Sequence, residues 1–117
     1  MNGLLVVDKP GGITSHDVVG RVRRLTREKS VGHLGTLDPM ATGVLPLLLG
    51  NFTRLAQFFS TAEKSYTGTI RFGFATDTYD AEGVPVQPAV TPSLTLEQVR
   101  NAAIPFHGEV ELSLIHI

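Results

Sequence analysis

Read as apolar and polar positions, the chain is a succession of short segments with different periods. Gly3 to Val7 is an apolar run that stops at Asp8-Lys9-Pro10-Gly11-Gly12, the pattern of a strand entering a turn. From His16 to about Arg27, residues Val18, Val19, Val22 and Leu25 recur at helical spacing and arginines fill most of the other faces, which predicts an amphipathic helix with one basic side. Thr14 or Ser15 can cap it, and Asp17 adds favourable charge at that end. Val44 to Leu49 is short, apolar and bounded by glycines: a buried strand, although period alone does not separate it from a buried helical turn. Leu55, Ala56, Phe58 and Phe59 predict a short helix with the aromatic pair in the core. Lys64 to Phe74 alternates, with Tyr66, Gly68, Ile70, Phe72 and Phe74 on one face, as a strand does. Pro85, Pro88 and Pro92 mark an extended connection, after which Thr95 caps a helix reaching about Ala103.

The chemistry concentrates in Val31 to Gly50. This stretch holds one His, one Asp and no other ionisable residue. Gly35-Thr-Leu-Asp-Pro39 reads as a turn, because Gly35 reaches backbone conformations closed to other residues and Pro39 biases Asp38 toward an extended one. Asp38 is therefore expected on a rigid loop at the mouth of a buried strand, where a carboxylate can serve as acid, base or nucleophile. The bland alternative is a turn former that bonds nearby backbone amides. His33 taken alone reads first as a surface or hydrogen-bonded structural residue, with a catalytic or ligand role as the alternative. Asp77-Thr-Tyr-Asp-Ala-Glu-Gly83 does not make a calcium loop, since Tyr79 and Ala81 fall where oxygen ligands belong, and it reads as a polar loop.

Composition changes the picture modestly. At 117 residues, 42% hydrophobic and 18% charged, the chain is an ordinary globular domain without cysteine, so disulfide and thiolate-metal chemistry are excluded and a reducing cytoplasm is expected. No stretch has the pattern of a signal peptide or a membrane span. The net charge of −1 does not advertise nucleic-acid binding. Arg21, Arg23, Arg24, Arg27 and Lys29 nonetheless crowd one segment, which is either a solvated helix face or a local phosphate-binding patch.

Gly32-His33-Leu34-Gly35-Thr36-Leu37-Asp38-Pro39, followed by Ala41-Thr42-Gly43-Val44-Leu45-Pro46 and Gly50, resembles the signature block of the bacterial tRNA pseudouridine-55 synthase (TruB-like) family. Gly3 to Pro10 with Gly12 to Ser15, Lys64-Ser65-Tyr66, and Asp77 to Asp80 with Gly83 agree with it in order, up to about Gly108. The resemblance implies an α+β pseudouridine synthase fold, a mixed and mostly antiparallel sheet flanked by helices, incomplete in this chain. Residues 1–112 would be the N-terminal part of the catalytic domain, and 113–117 a tail that departs from the family. The family continues there with a further half that supplies a basic partner for the catalytic Asp.

It also implies an isomerase of the tRNA T arm that works without metal or other cofactor, cytoplasmic and monomeric in its full-length form. Asp38 would be the catalytic carboxylate, attacking the ribose, adding to the base ring or removing a sugar proton. His33 would fill the space left by the flipped uridine, and Tyr66, which by its own chemistry reads first as core or edge packing, would stack on the base. Arg54 and Lys9 would contact RNA phosphates, unless Lys9 pairs with a carboxylate instead. The competing readings are a catalytically inactive, RNA-binding fragment of such an enzyme and a small hydrolase using Asp38 with His33 as base.

Overall fold

The computed structural model describes residues 1–112; the tail 113–117 lies outside the described residues. The backbone divides into two compact units, Met1–Ser65 and Tyr66–Ile117. Among the described residues no helix is long and apolar enough to cross a membrane.

The first unit contains β1 (Gly3–Lys9), α1 (Ser15–Thr26), β2 (Val31–His33), β3 (Gly43–Leu49) and a 3₁₀ helix over Gly50–Phe58. The three strands form an antiparallel sheet in the order β1-β3-β2, so the most apolar segment takes the centre. Pairing of Val7 with Leu45, Lys9 with Gly43, Val31 with Leu49 and His33 with Leu47 puts all of these residues on one face, since strand side chains alternate. Helix α1 lies on that face. Its Val18, Val19 and Val22 join Val31, Leu45, Leu47 and Leu49 in the core, with Val7, Ile13 and Leu37 packed around them. Leu25 shares the helical stripe but is 84% exposed.

The cap of α1 is Thr14. Its hydroxyl accepts from the Asp17 amide at 3.0 Å and the Asp17 carboxylate accepts from the Thr14 amide at 2.9 Å, a reciprocal capping box. That leaves the hydroxyl of Ser15 free for a different partner.

Pro46 in a central strand needs a physical account, because proline cannot donate to a ladder. The Leu34 amide donates to the Pro46 carbonyl at 2.9 Å, so the amide that Pro46 lacks would also have faced β2. Its reciprocal bond would have been the next rung after His33–Leu47. Strand β2 therefore ends at His33, and the chain is released into the loop that carries Asp38.

In the second unit α2 (Leu96–Ala103) is capped by Thr95, with the Gln98 side chain returning to the Thr95 amide at 2.9 Å. A single bridge pairs Thr76 with Pro85. The alternating segment 64–74 is not a strand here, contrary to its pattern. A strand exists only where neighbouring backbone completes its hydrogen bonds, and among the described residues this segment has one such bond, from the Val90 amide to the Gly73 carbonyl at 2.9 Å; Ile70 is 78% exposed accordingly. The expectation that Phe58 and Phe59 are core is also corrected, since at the end of the 3₁₀ helix both are exposed.

The capping bonds from Thr14 hold the Asp17 carboxyl below its ordinary value of 3.8. A folded value below the unfolded one contributes stability that is present above the unfolded value and lost as pH falls through the folded one. Acidification from about pH 5 to 2 is therefore expected to lower the thermal midpoint of the wild-type chain more than that of Asp17→Ala, the two converging at the acid end. Parallel acid-dependent losses, followed by circular dichroism, would remove the capping box from the account.

Candidate active site

The loop between β2 and β3 is fixed peptide by peptide. Gly35 adopts φ +80°, a region that side chains disfavour, and a Cβ added there would come within 2.9 Å of the Lys64 ammonium. Downstream, the Ala41 amide donates to the Asp38 carbonyl at 3.0 Å, closing a β-turn with Pro39 at its second position, where the ring presets φ. The chain thus bends at Gly35 as expected, but the hydrogen-bonded turn lies over 38–41 and not over 35–39.

Three consecutive carbonyls are held. The Ser15 hydroxyl donates to the Leu37 carbonyl at 3.1 Å and accepts from the Leu37 amide at 2.9 Å. The Asp38 carbonyl belongs to the turn. The Pro39 carbonyl accepts from the Gly12 amide at 2.8 Å and from the Lys9 ammonium at 3.1 Å. Leu37 is further anchored by packing against the core. With these ties the position of the Asp38 carboxylate depends on little besides its own χ1 and χ2.

The carboxylate itself is unengaged. Asp38 is half-buried, and among the described residues its side chain has no hydrogen-bond or ion-pair partner, nor is either oxygen buried without one. A turn-forming Asp would bond the amides that follow it, so the reading of Asp38 as a mere backbone tie does not hold.

His33 sits on the helix-facing side of the sheet, half-buried, with Nδ1 2.7 Å from the Gly35 carbonyl. A carbonyl only accepts, so Nδ1 carries the hydrogen and Nε2 is the acceptor of the neutral ring. No hydrogen bond joins His33 to Asp38, which leaves the hydrolase pairing without a geometric basis.

Lys9 departs from expectation. It has no exposed surface, and its three N–H groups go to the carbonyls of Pro10 at 2.8 Å, Ile13 at 2.7 Å and Pro39 at 3.1 Å. Neither an RNA phosphate nor a carboxylate is its partner. The lysine is instead an internal clamp between the β1 turn and the Asp38 loop, because β1 places residue 9 on the inward face.

Arg54 is exposed on the 3₁₀ helix, and Tyr66 is 72% exposed at the start of the second unit. On α1, Arg23 donates to the Val31 carbonyl at 3.0 Å, while Arg21 and Arg24 are exposed on the helix and Arg27 just past its end. Two depressions, one lined by residues including Leu5, Thr26 and Leu49 and the other by Arg71, Tyr79 and Asp80, do not border Asp38. Reading the sequence for chemistry missed Ser15 and Gly12. The one available signal was the Thr14-Ser15 pair: a single hydroxyl suffices for the cap, leaving the other spare.

Residues 23–114 match the family model described as TruB family pseudouridylate synthase (N terminal domain). The chain belongs to that family. Its TruB relatives include proteins named tRNA pseudouridine synthase B from Solibacter usitatus (strain Ellin6076), 55% identical over 93% of this chain and 37% of the relative, and from Leifsonia xyli subsp. xyli (strain CTCB07), 50% identical over 94% and 37%. The chain thus spans little more than a third of the length of the curated relatives it matches. A solved structure of an H/ACA RNP bound to a substrate RNA containing 2'-deoxyuridine is 44% identical over 49% of this chain and 18% of that one, with a TM-score of 0.47.

Replacing the buried ammonium by a thioether in Lys9→Met removes charge-assisted bonds to three carbonyls, and a loss of about 3 kcal/mol in urea unfolding is expected, since bonds to charged groups contribute about 1.5–3 kcal/mol each and water replaces part of them. A loss under about 0.5 kcal/mol, the range of an ordinary surface substitution, would contradict the clamp.

Proposed function

We propose that this chain carries the catalytic carboxylate of a tRNA pseudouridine synthase acting on uridine 55 of the T loop, with Asp38 as that carboxylate. The observation that carries the reading is an unengaged Asp38 side chain on a loop whose three successive carbonyls are tied down. Pseudouridine formation breaks the bond from ribose C1′ to N1 of uracil, turns the base and makes the bond from C1′ to C5, after which the C5 hydrogen leaves to solvent. A carboxylate can open this sequence by attack at C1′, by addition to the ring or by taking a sugar proton. Each route needs a carboxylate oxygen that no backbone amide occupies and a backbone that does not yield.

The uridine of a folded T loop reaches such a group only when flipped out, and His33 is assigned to the space it vacates. Tyr66 is assigned to stacking on the base. Arg54 with Arg21, Arg24 and Arg27 supplies phosphate contacts, a role in which exposed cations suffice. The proposal includes a cytoplasmic setting and a monomeric full-length protein. Because the chain matches only part of each relative, the reading of the isolated chain as an inactive RNA-binding fragment stands beside it.

Release of tritium from a T-arm minihelix labelled at uridine C5 tests both. The Solibacter usitatus relative with its matching segment replaced by this chain is expected to release tritium, and Asp38→Asn in that chimera to lower the rate by about 10³-fold, within the range contributed by a positioned acid or base, with RNA affinity retained. Release by the isolated chain would reject the fragment reading. An inactive chimera that still folds and binds the minihelix, or an active Asp38→Asn variant, would overturn the proposal.

A further inference from the structure

Ser15 is 2% exposed, stands at the first turn of α1 and takes no part in the cap, which Thr14 supplies. Its single hydroxyl closes on both polar groups of Leu37, 22 positions away, accepting at 2.9 Å and donating at 3.1 Å. The Leu37 carbonyl belongs to the peptide whose other half is the Asp38 amide, so this bond sets the plane of the peptide that leads directly into Asp38. The two other ties act further on: the turn bond holds the peptide that follows Asp38, and Lys9 and Gly12 hold the one after that. Among the described residues, Ser15 alone makes a hydrogen bond to the peptide that enters Asp38, and no other side chain bonds the Leu37 backbone. The neighbouring Thr14 hydroxyl is engaged with the Asp17 amide in the capping box.

On the reading of Asp38 as the catalytic carboxylate, we infer that Ser15 is a positioning residue for the reaction: its hydroxyl orients the 37–38 peptide and thereby aims Asp38. The geometry distinguishes this from general support of the fold. Lys9 bridges three backbone carbonyls in two segments and its loss loosens the unit, whereas Ser15 bonds one residue of one loop. Removing the hydroxyl frees the 37–38 peptide plane to rotate while Val18, Val19 and Val22 keep α1 on the sheet. Ser15 touches neither base nor ribose in this role; it acts through Leu37.

The test uses Ser15→Ala and Ser15→Cys, the second keeping the side-chain shape with far weaker hydrogen bonding, and Val22→Ala as a comparison that thins the same core further along the helix. In the chimera, single-turnover tritium release is expected to fall about 10- to 100-fold for both Ser15 variants, the scale of a misplaced reacting group, with minihelix Kd within about 3-fold of the parent. Val22→Ala, measured well below its melting temperature, is expected to retain the parental rate. In the isolated chain, the Leu37 amide of the Ser15 variants is expected to exchange with solvent at least about 10-fold faster while the Leu47 amide in β3 is unchanged, which reads the positioning independently of activity.

A parental rate in Ser15→Cys, a rate loss matched by an equal loss of affinity, an equal loss in Val22→Ala, or an unchanged Leu37 exchange rate would each overturn the role. If the parental chimera releases no tritium, the functional reading of Asp38 fails by itself. The Leu37 exchange rates then still decide whether Ser15 governs the loop.

Discussion

The structure of the first unit depends on one constraint: the peptides on either side of Asp38 have no freedom to turn. Three carbonyls in a row, at Leu37, Asp38 and Pro39, accept hydrogen bonds from a helix-start hydroxyl, a turn amide, and a buried ammonium with a glycine amide. A loop normally carries function because it is mobile and variable. This one is nearly as constrained as the strand it precedes, and that sets it apart as a platform. Strand β2 ends where Pro46 cannot complete a rung, β1 delivers Lys9 to the inward face at its last residue, and α1 begins with a hydroxyl left over from its own cap. Each of these termini is directed at the same loop.

The arrangement also explains why a lysine is fully buried here without a carboxylate partner. An ammonium in a low-dielectric site is costly unless its donors are all satisfied, and three carbonyls from two loop segments satisfy them. The Asp38 carboxylate is left out of this network. Had Lys9 paired with it, the acid would be neutralised inside the protein; instead the cation is spent on backbone and the anion stays open. On the reading of Asp38 as the catalytic carboxylate, the structural cation and the acid are thus kept apart within this chain.

Much of the first unit was legible from sequence wherever the causes were local. The Thr14-Asp17 box, the bend at Gly35, the Pro39 turn and the apolar run of β3 all follow from residues close together in the chain, as does the Thr95-Gln98 box of the second unit. The site was legible only as far as Asp38 and His33. The bonds that hold Asp38 span 22 and 30 positions, and no periodicity reports them. Lys9 was misread for that reason: an exposed-looking Asp-Lys-Pro turn gives no sign that the strand before it places residue 9 inward. The opposite failure occurs at 64–74, where a sound alternating pattern finds no partner strand among the described residues, so pattern alone does not make a sheet.

The most direct test of the account is the backbone order of the loop in the wild-type chain. Nitrogen-15 relaxation at the Gly12, Leu37 and Ala41 amides, which donate three of the bonds that hold the loop, is predicted to give order parameters of about 0.85, equal to Leu47 in β3. Values below about 0.6 at Leu37 and Ala41, as in a flexible loop, would contradict the claim that Asp38 is presented by a fixed backbone.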